Sequence, residues 1–220
     1  MTSVSINSAL KGFVPQLTLG CVSATVNMSR HSEPLWVEIN QLLGRLTATF
    51  QPDQVNSIPQ IAAMRNAYKT LGKDPSRYRG SAEALLRRVL AGKGLYQVNT
   101  VVDINNLFSL ETLLPVGSYD LVHVSAPVEL RIGQTGESYK GIRKDQINIE
   151  NLPVFADANG PFGSPTSDSE RAMIRPESKE ILMAIFSFVG ENGLDDATSH
   201  AADLLRRHAQ AENVEIKVVK

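Results

Sequence analysis

The chain has 220 residues, of which 42% are hydrophobic and 20% charged, and its formal net charge is −1. This length and composition suffice for a packed core, and the near-neutral balance gives no reason to expect a nucleic-acid partner for the chain as a whole. The lone cysteine excludes an internal disulfide, and no apolar run approaches the roughly 20 residues that span a bilayer. With no secretory signal pattern, the sequence predicts a soluble, cytoplasmic protein without membrane contact.

The N-terminal part of the chain, residues 1–95, is predicted to be mostly helical after one early strand over 16–26. Helices are predicted over 32–48, 57–72 and 81–92. Each begins at a serine that serves as N-cap, because a hydroxyl oxygen accepts a hydrogen bond from the first-turn amides. Prolines in the first turns and glycines at the ends support the same boundaries.

Residues 99–113, NTVVDINNLFSLETL, predict a helix with Asn99 as its N-cap. The helix is apolar on nearly all sides and is therefore predicted to be buried. Asp103, Asn106 and Ser109 recur every three residues and lie along one side of it. Buried polar groups that lack a hydrogen bond cost about 1–3 kcal/mol each. These three side chains therefore either satisfy neighbouring backbone groups or line a wet pocket.

From residue 120 the pattern changes to strands, predicted over 120–133, 152–157 and 179–189. A helix capped by Asp195 or Asp196 and a closing strand follow them. Because strands and helices do not alternate regularly, the chain is predicted to be α+β, with mixed β-sheet layers flanked by helices.

The domain organisation follows from the absence of internal repeats and long linkers. We predict one domain over residues 1–220, with the helical part at 1–95 and a β-rich core at 96–220 that carries the motifs.

The segment GPFGSPTSDSER, residues 160–171, is polar and rich in glycine and proline. Two interpretations are open for this segment. In the first, residues 167–170 form an S-x-x-E capping box, and Glu170 only caps the start of a helix. Pro176 and the lack of helical periodicity favour the other interpretation, a loop whose amides and hydroxyls hold a polar ligand. Glu170 would then accept a hydrogen bond from that ligand.

Metal and cofactor signatures are weak. The four histidines are scattered, and His200 and His208 would lie about 12 Å apart along a helix. Phosphate-loop and dinucleotide-binding patterns are absent. The sequence therefore predicts neither a metal site nor a cofactor.

A basic segment over residues 61–95 contains eight basic and two acidic residues. One interpretation is a set of solvated helix faces, and the other is a surface that meets RNA phosphates. The candidate RNA-binding residues are Arg65, Lys69, Lys73, Arg77, Arg79, Arg87 and Arg88.

Residues 101–120, VVDINNLFSLETLLPVGSYD, resemble the B3/B4 domain, the tRNA-editing domain in the β subunit of bacterial phenylalanyl-tRNA synthetase. The matching positions are Asp103, Asn106, Leu110, Glu111, Pro115 and Asp120, with Tyr119 in the place of a phenylalanine. A second block adds Gly160, Pro161, Ser169 and Glu170. The resemblance covers about residues 99–190.

The resemblance implies an activity and a set of site residues. In the synthetase, this domain hydrolyses the ester of tyrosine wrongly attached to the phenylalanine tRNA, by attack of a water without a metal, and a glutamate at the place of Glu170 recognises the tyrosine hydroxyl. The implied catalytic residues are Asp103, Asn106 and Thr166. The implied substrate-binding residues are Asn105, Gly117, Ser118, Gly160, Ser164 and Glu170.

The chain departs from the family pattern at three of these positions. The pocket histidine of the family corresponds to Gly117, its neighbouring alanine to Ser118, and the helix threonine to Asn105. The loss of a bulky ring at Gly117 is expected to enlarge or reshape the pocket.

The resulting hypothesis is a freestanding trans-editing hydrolase that deacylates mischarged aminoacyl-tRNA, with the amino-acid moiety in the pocket. The chain lacks the motifs of amino-acid activation and is not a synthetase. The alternatives are a non-catalytic module of the same fold that binds tRNA or an amino acid, and a small-molecule hydrolase that reuses the pocket.

Overall fold

The computed structural model describes residues 2–220, which form six α-helices and ten strands, numbered here in chain order. The helices are α1 (Ser8–Phe13), α2 (Glu33–Thr49), α3 (Pro59–Thr70), α4 (Ser81–Leu90), α5 (Thr100–Thr112) and α6 (Leu194–Ala209). The strands are β1 (Val4–Ile6), β2 (Thr18–Thr25), β3 (Val116–Asp120), β4 (Val128–Ile132), β5 (Ser138–Lys140), β6 (Gln146–Asn148), β7 (Pro153–Asp157), β8 (Gly160–Gly163), β9 (Glu180–Ser187) and β10 (Glu212–Val219).

The central sheet has the strand order β10-β2-β9-β3 and is antiparallel throughout. Strand β9 is apolar along almost its whole length because both faces of the sheet are covered. Alternate side chains enter different cores: Met183 packs with the helices, whereas Leu182 and Phe186 pack towards a second sheet.

The two faces of the central sheet are covered by different layers. Helices α2, α4, α5 and α6 supply the apolar residues on one face. The second sheet, in the order β1-β4-β7-β8, covers the other face together with α1 and α3. That sheet is mixed, because β1 pairs with β4 in parallel and the other pairs are antiparallel. The predicted α+β class with helix-flanked sheet layers is confirmed.

Strands from both halves of the chain build the central sheet. The first 95 residues hold α1 to α4, but they also hold β1 and β2. Strand β2 pairs with β10 on one side and with β9 on the other. The N-terminal part therefore belongs to the same layers as the motifs that follow it.

Two of the predicted N-caps are confirmed, and the others are displaced. Ser32 accepts from the backbone N–H of Leu35, and Asn99 accepts from that of Val102 at 2.9 Å. The cap of α3 is Ile58 rather than Ser57, and that of α4 is Gly80 rather than Ser81.

The start of α6 also differs from the prediction. Its N-cap is Gly193, which has a φ of 73°, a value that favours glycine. Asp195 and Asp196 lie in the first turn instead, where their charges complement the positive end of the helix dipole. Among the helices in residues 2–220, none combines the length and apolar character needed to cross a bilayer.

Candidate functional site

A cavity of about 650 Å³ opens between α5, the start of α4 and the loop that follows β8. Its walls also include the end of the hairpin that joins β5 and β6. The lining residues from α4, α5 and β3 are Ser81, Ala84, Leu85, Val102, Asn105, Asn106, Val116 and Ser118. The hairpin and the loop contribute Ile142, Arg143, Thr166, Asp168, Glu170, Met173, Ile174, Arg175 and Pro176.

Five of the residues singled out from the sequence meet in this cavity. Asn105 and Asn106 come from α5, Ser118 comes from β3, and Thr166 and Glu170 come from the loop. The polar side of α5 and the segment 160–171 therefore face one space, although some 60 residues separate them in the sequence.

The two asparagines of α5 differ in how far they are engaged. Asn105 accepts a hydrogen bond from Ser118 Oγ at 3.0 Å and donates to the carbonyl of Val116 at 3.4 Å. No hydrogen bond to the side chain of Asn106 is found within residues 2–220, and this half-buried amide lines the cavity. Asn106 is thus the asparagine that a ligand can use without breaking an internal bond.

Asp103 lies behind the cavity wall rather than in it. Its carboxylate is buried, accepts from Trp36 Nε1 at 2.9 Å and accepts from the Val98 backbone N–H at 3.1 Å. Burial raises the pKa of Asp103, and these two hydrogen bonds oppose the shift. Ser109 similarly donates to the Leu114 carbonyl at 2.7 Å. On this side of α5, Asp103 and Ser109 therefore form hydrogen bonds within the protein, and Asn106 lines the cavity.

Gly160 and Ser164 support the loop without lining the cavity. Gly160 lies at the turn between β7 and β8 with a φ of 105°, and its carbonyl accepts from Arg171 Nη2 at 2.8 Å. Ser164 Oγ donates to the Ser167 carbonyl at 2.8 Å and accepts from the backbone N–H groups of Thr166 and Ser167. Both residues therefore fix the loop from within.

Gly117 faces away from the cavity, contrary to the expectation that it enlarges the pocket. Val116 and Ser118 line the cavity, so the intervening residue of β3 faces the other side of the sheet. A Cβ placed on Gly117 would overlap Tyr119 Oη and lie 2.7 Å from Tyr119 Cζ. The ring of Tyr119 covers Gly163 in the same way. Tyr119 therefore occupies the volume that the glycine leaves.

Three buried tyrosines hold the loop 164–168 from beneath. These residues are Tyr68, Tyr119 and Tyr139. The hydroxyl of Tyr68 shares a hydrogen bond of 2.8 Å with Thr166 Oγ1. The hydroxyl of Tyr139 donates its single proton to the Ser167 carbonyl and lies 3.2 Å from Ser164 Oγ. Burial raises the pKa of all three phenols, so they remain protonated hydrogen-bond donors at physiological pH.

Asp168 is a cavity residue that the sequence analysis missed. Its Oδ1 accepts from Tyr119 Oη at 2.9 Å and from the Ser164 backbone N–H at 3.2 Å. Burial is the largest influence on this carboxyl and raises its pKa to about 7. The sequence signal for Asp168 is its place between Ser167 and Ser169 in a polar loop, whereas the capping-box pattern of residues 167–170 indicates Glu170.

Glu170 lies at the edge of the cavity and does not cap a helix. Residues 167–170 are in a loop, so the capping-box interpretation is wrong. The Glu170 carboxylate is paired with Lys140 Nζ at 2.9 Å, and the backbone N–H of Glu170 donates to the Lys140 carbonyl. Its side chain is 35% exposed. A ligand that reaches Glu170 thus meets a carboxylate that a lysine already orients.

Four of the seven candidate RNA-binding side chains are held by the protein itself. Glu83 is 2% exposed and accepts from Arg65 at 3.0 Å and from Arg87 at 2.8 Å. Lys73 is buried and donates to Asn148 Oδ1 at 2.8 Å. Arg88 donates to the Gly94 carbonyl at 2.8 Å and lies over the ring of Tyr96.

The remaining three candidates, Lys69, Arg77 and Arg79, are exposed. Arg79 is 3.8 Å from Glu83 and is otherwise accessible to solvent. The sequence analysis missed a further basic group on the hairpin between β5 and β6, where Lys140, Arg143 and Lys144 are exposed. Arg143 belongs to the cavity wall, so this basic group lies at the cavity itself.

No group of three or more histidine, cysteine, aspartate or glutamate side chains suited to a metal ion occurs within the part of the chain that the structure describes. The polar side chains of the cavity are amides, hydroxyls, carboxylates and two guanidinium groups. These groups can bind a polar ligand, orient a water and accept a proton.

The fold and cavity define an α+β domain that encloses a ligand-sized space between a buried helix and a tyrosine-anchored loop. A family model described as the B3/4 domain matches residues 63–214. The chain belongs to this family, and the resemblance found in its sequence is confirmed.

Two curated relatives are phenylalanine–tRNA ligase beta subunits. The one from Pasteurella multocida (strain Pm70) is 26% identical over 125 residues, which is 52% of this chain and 16% of that protein. The one from Haemophilus influenzae (strain 86-028NP) is 28% identical over 97 residues, which is 41% of this chain and 12% of that protein. The matches thus span less than a fifth of either relative.

Among solved structures, the chain is similar to an N-terminal fragment of the phenylalanyl-tRNA synthetase beta subunit from Pyrococcus horikoshii. The sequence identity is 12% and the TM-score is 0.47. The match covers 99% of this chain and 50% of the fragment.

We expect Gly117→Ala to lower the free energy of unfolding by about 1–3 kcal/mol, because the added methyl group overlaps the Tyr119 ring. Urea denaturation measures the change. Gly44→Ala in α2 is the matched control, since a Cβ there meets no atom within 4 Å. The control should be neutral or more stable by up to about 1 kcal/mol. Equal effects of the two substitutions would contradict the packing described for Tyr119.

We expect Asp168→Asn to change how stability depends on pH. The folded pKa of about 7 lies above the ordinary value of 3.8, so the folded state binds this proton more tightly than the unfolded state does. The free energy of unfolding of the wild type relative to the variant should therefore fall as pH rises from about 4 to 7, by about 2–4 kcal/mol. Denaturation at several pH values measures it. A pH-independent difference would contradict the shift.

Proposed function

We propose that this protein is a hydrolase that deacylates mischarged aminoacyl-tRNA. The observation that carries the proposal is the one cavity shared by α5 and the loop 166–170, in a chain of the B3/4 family. Curated relatives of the chain are named as ligases that attach phenylalanine to tRNA. An editing activity in such a family removes amino acids that a synthetic site fails to distinguish.

The size and lining of the cavity support an aminoacyl group as its ligand. A volume of about 650 Å³ lies within the usual range for small-molecule sites. Val102, Met173 and Ile174 supply apolar walls for an amino-acid side chain. Asn106 and Thr166 supply polar groups beside them, as a ligand with both an ester and a side chain requires.

The catalytic step in this proposal is attack of a water on the carbonyl carbon of the aminoacyl ester. The bond from that carbon to the ribose oxygen breaks, one proton of the water passes to the ribose oxygen, and the products are the free amino acid and the tRNA with its hydroxyl restored. The amide of Asn106 donates to the carbonyl oxygen and stabilises the charge that develops there. Thr166, fixed through Tyr68, orients the attacking water. Asp103 acts indirectly, because it holds Trp36 and the Val98 backbone behind the wall that contains Asn106.

Glu170 contributes selectivity rather than turnover in this proposal. Its carboxylate is oriented by Lys140 at the cavity edge, where it accepts a hydrogen bond from a polar group on the bound amino acid. A site that hydrogen-bonds one ligand group rejects analogues that lack it.

Basic residues beside the cavity bind the RNA. Arg77 and Arg79 lie four and two residues before Ser81, which lines the cavity on one side. Arg143 lines it on another side, with Lys140 and Lys144 next to it on the hairpin. A tRNA acceptor stem that crosses the mouth meets both groups through its phosphates. With such a substrate, the protein acts in the cytoplasm.

The second candidate function is a module that binds tRNA or an amino acid without hydrolysis. It is favoured by one observation: among residues 2–220, no histidine lines the cavity, so no imidazole is present there to orient or activate a water. Binding in this candidate uses the same cavity and the same basic residues, and no ester bond is broken.

The proposal is tested by incubating the protein with a panel of misacylated tRNAs and counting the amino acid released. We expect release from at least one pair, and Glu170→Ala should change which amino acids are released more than it lowers the highest rate. Glu212→Ala, which removes an exposed carboxylate on β10, is the control and should behave as the wild type does.

The other outcomes of this assay separate the candidates. Binding without release for every pair would overturn the hydrolase and favour the binding module. Equal release from simple amino-acid esters, whether or not RNA is attached, would favour a small-molecule hydrolase instead.

The RNA contact is tested by the salt dependence of tRNA binding. We expect Arg77→Ala, Arg79→Ala and Arg143→Ala, combined in one variant, to reduce the slope of log affinity against log salt by about 2–3, because each lost phosphate contact removes nearly one unit. Filter binding at several salt concentrations measures it. A triple variant of exposed bases at other places, Arg206, Arg207 and Lys217 to alanine, should keep the wild-type slope. An unchanged slope in the first variant would exclude this surface.

A further inference from the structure

We propose that the carboxylate of Asp168 binds the α-ammonium group of the aminoacyl ligand, an inference that rests on the proposed function for the class of ligand. The site would then require a free amine, so that N-acylated ligands are excluded. Three features of Asp168 support this role: its place in the cavity, its hydrogen bonds and its charged surroundings.

The hydrogen bonds of Asp168 are confined to one of its two oxygens. Oδ1 accepts from Tyr119 Oη at 2.9 Å and from the Ser164 N–H at 3.2 Å. Oδ2 has no hydrogen-bond partner in the described range 2–220, and the residue lines the cavity. The donors on Oδ1 fix the carboxylate plane, and the second oxygen remains free to accept from a ligand. A carboxylate accepts more hydrogen bonds than the two it has here.

The charges around the cavity leave Asp168 without a cationic partner. Asp168 and Glu170 are the acidic residues of the described cavity wall, and Glu170 is paired with Lys140. No lysine, arginine or histidine of residues 2–220 forms a salt bridge with Asp168. A half-buried carboxylate without a counter-charge is complementary to a ligand cation.

None of the titratable and charged groups described around Asp168 forms an ion pair with it. Tyr119 faces Asp168 from β3 and Tyr139 from β5, both as protonated phenols. Lys144 on the hairpin donates to Ser167 Oγ at 2.9 Å and favours the charged form of Asp168 from a distance. Arg175 donates to backbone carbonyls, and Arg143 lies on the exposed rim.

A bound ammonium ion and the ionisation of Asp168 are linked. Burial raises the pKa of Asp168 to about 7, and an opposite charge beside it lowers the pKa. Free α-amino groups have pKa values of about 7.7–8.0. Carboxylate and ammonium therefore coexist between about pH 7 and 8, and binding should weaken on both sides of that range.

The test uses the twenty L-amino acid amides and their N-acetyl derivatives as probes. NMR of protein labelled with ¹³C-aspartate follows the Asp168 carboxyl during pH titration. We expect at least one amide at 20 mM (about the concentration needed for a millimolar ligand) to lower the Asp168 pKa by about one unit or more, because its ammonium favours the carboxylate. The N-acetyl derivative of the same amino acid should leave the pKa unchanged.

A variant supplies a second readout. Asp168→Asn keeps an oxygen that accepts from Tyr119 and Ser164, so the loop retains both bonds while the charge is lost. We expect at least a tenfold loss of affinity for the amide, without a comparable loss in Asp145→Asn, an exposed residue outside the cavity. If the variant fails to fold, the titration of the wild type decides alone.

The inference is overturned if no amide moves the Asp168 pKa, if N-acetyl derivatives move it equally, or if a folded Asp168→Asn keeps its preference for free amines. Its failure is distinct from that of the proposed function. Equal release from aminoacyl-tRNA and N-acetyl-aminoacyl-tRNA would overturn the amine site and leave the hydrolase standing. Amine-dependent binding in a protein that releases nothing would support the site and overturn the hydrolase.

Discussion

The candidate site depends on three phenol hydroxyls that are buried beneath a polar loop. Tyr68 comes from α3, Tyr119 from β3 and Tyr139 from β5, so three separate elements hold the loop 164–168. A buried hydroxyl that lacks a partner costs about 1–3 kcal/mol, and the loop oxygens satisfy each of these three. The same bonds fix Thr166 and Asp168 against the cavity. A loop made of serine, proline, threonine and aspartate thereby keeps a defined shape without regular secondary structure.

The sequence predicted the parts of the site that depend on local pattern. The helix at 99–113 was predictable because Asn99 caps it and its apolar residues surround it, and it is observed as α5. The segment 160–171 was recognised as polar and irregular, although residues 160–163 form the strand β8. The B3/B4 resemblance assigned both segments to one pocket. In the fold, Asn105, Asn106, Ser118, Thr166 and Glu170 do line one cavity.

The remaining features depend on partners that no local pattern identifies. Asp103 is engaged by Trp36, which is 67 residues away, so its helix spacing alone could not distinguish a cavity group from an internal one. Arg65 and Arg87 look like a basic surface in sequence, yet they bond to the buried Glu83. Removal of one partner from such a buried charge cluster is costly, which makes these arginines structural. Exposure, rather than charge in sequence, determines which bases can meet a phosphate.

The side chain of Tyr119 fills the space beside both Gly117 and Gly163, so the residues at these three positions cannot change size independently. A side chain at position 117 has room when the residue at position 119 gives up the space that the phenol fills, and a larger residue at 163 imposes the same demand. The hydroxyl that would be lost is also the donor that orients Asp168. A larger side chain at position 117 therefore requires a change at position 119 as well, and the two changes together would alter the hydrogen bonds beneath the loop. Gly117 is thus a packing partner of Tyr119, and its contribution lies beneath the loop rather than in the cavity.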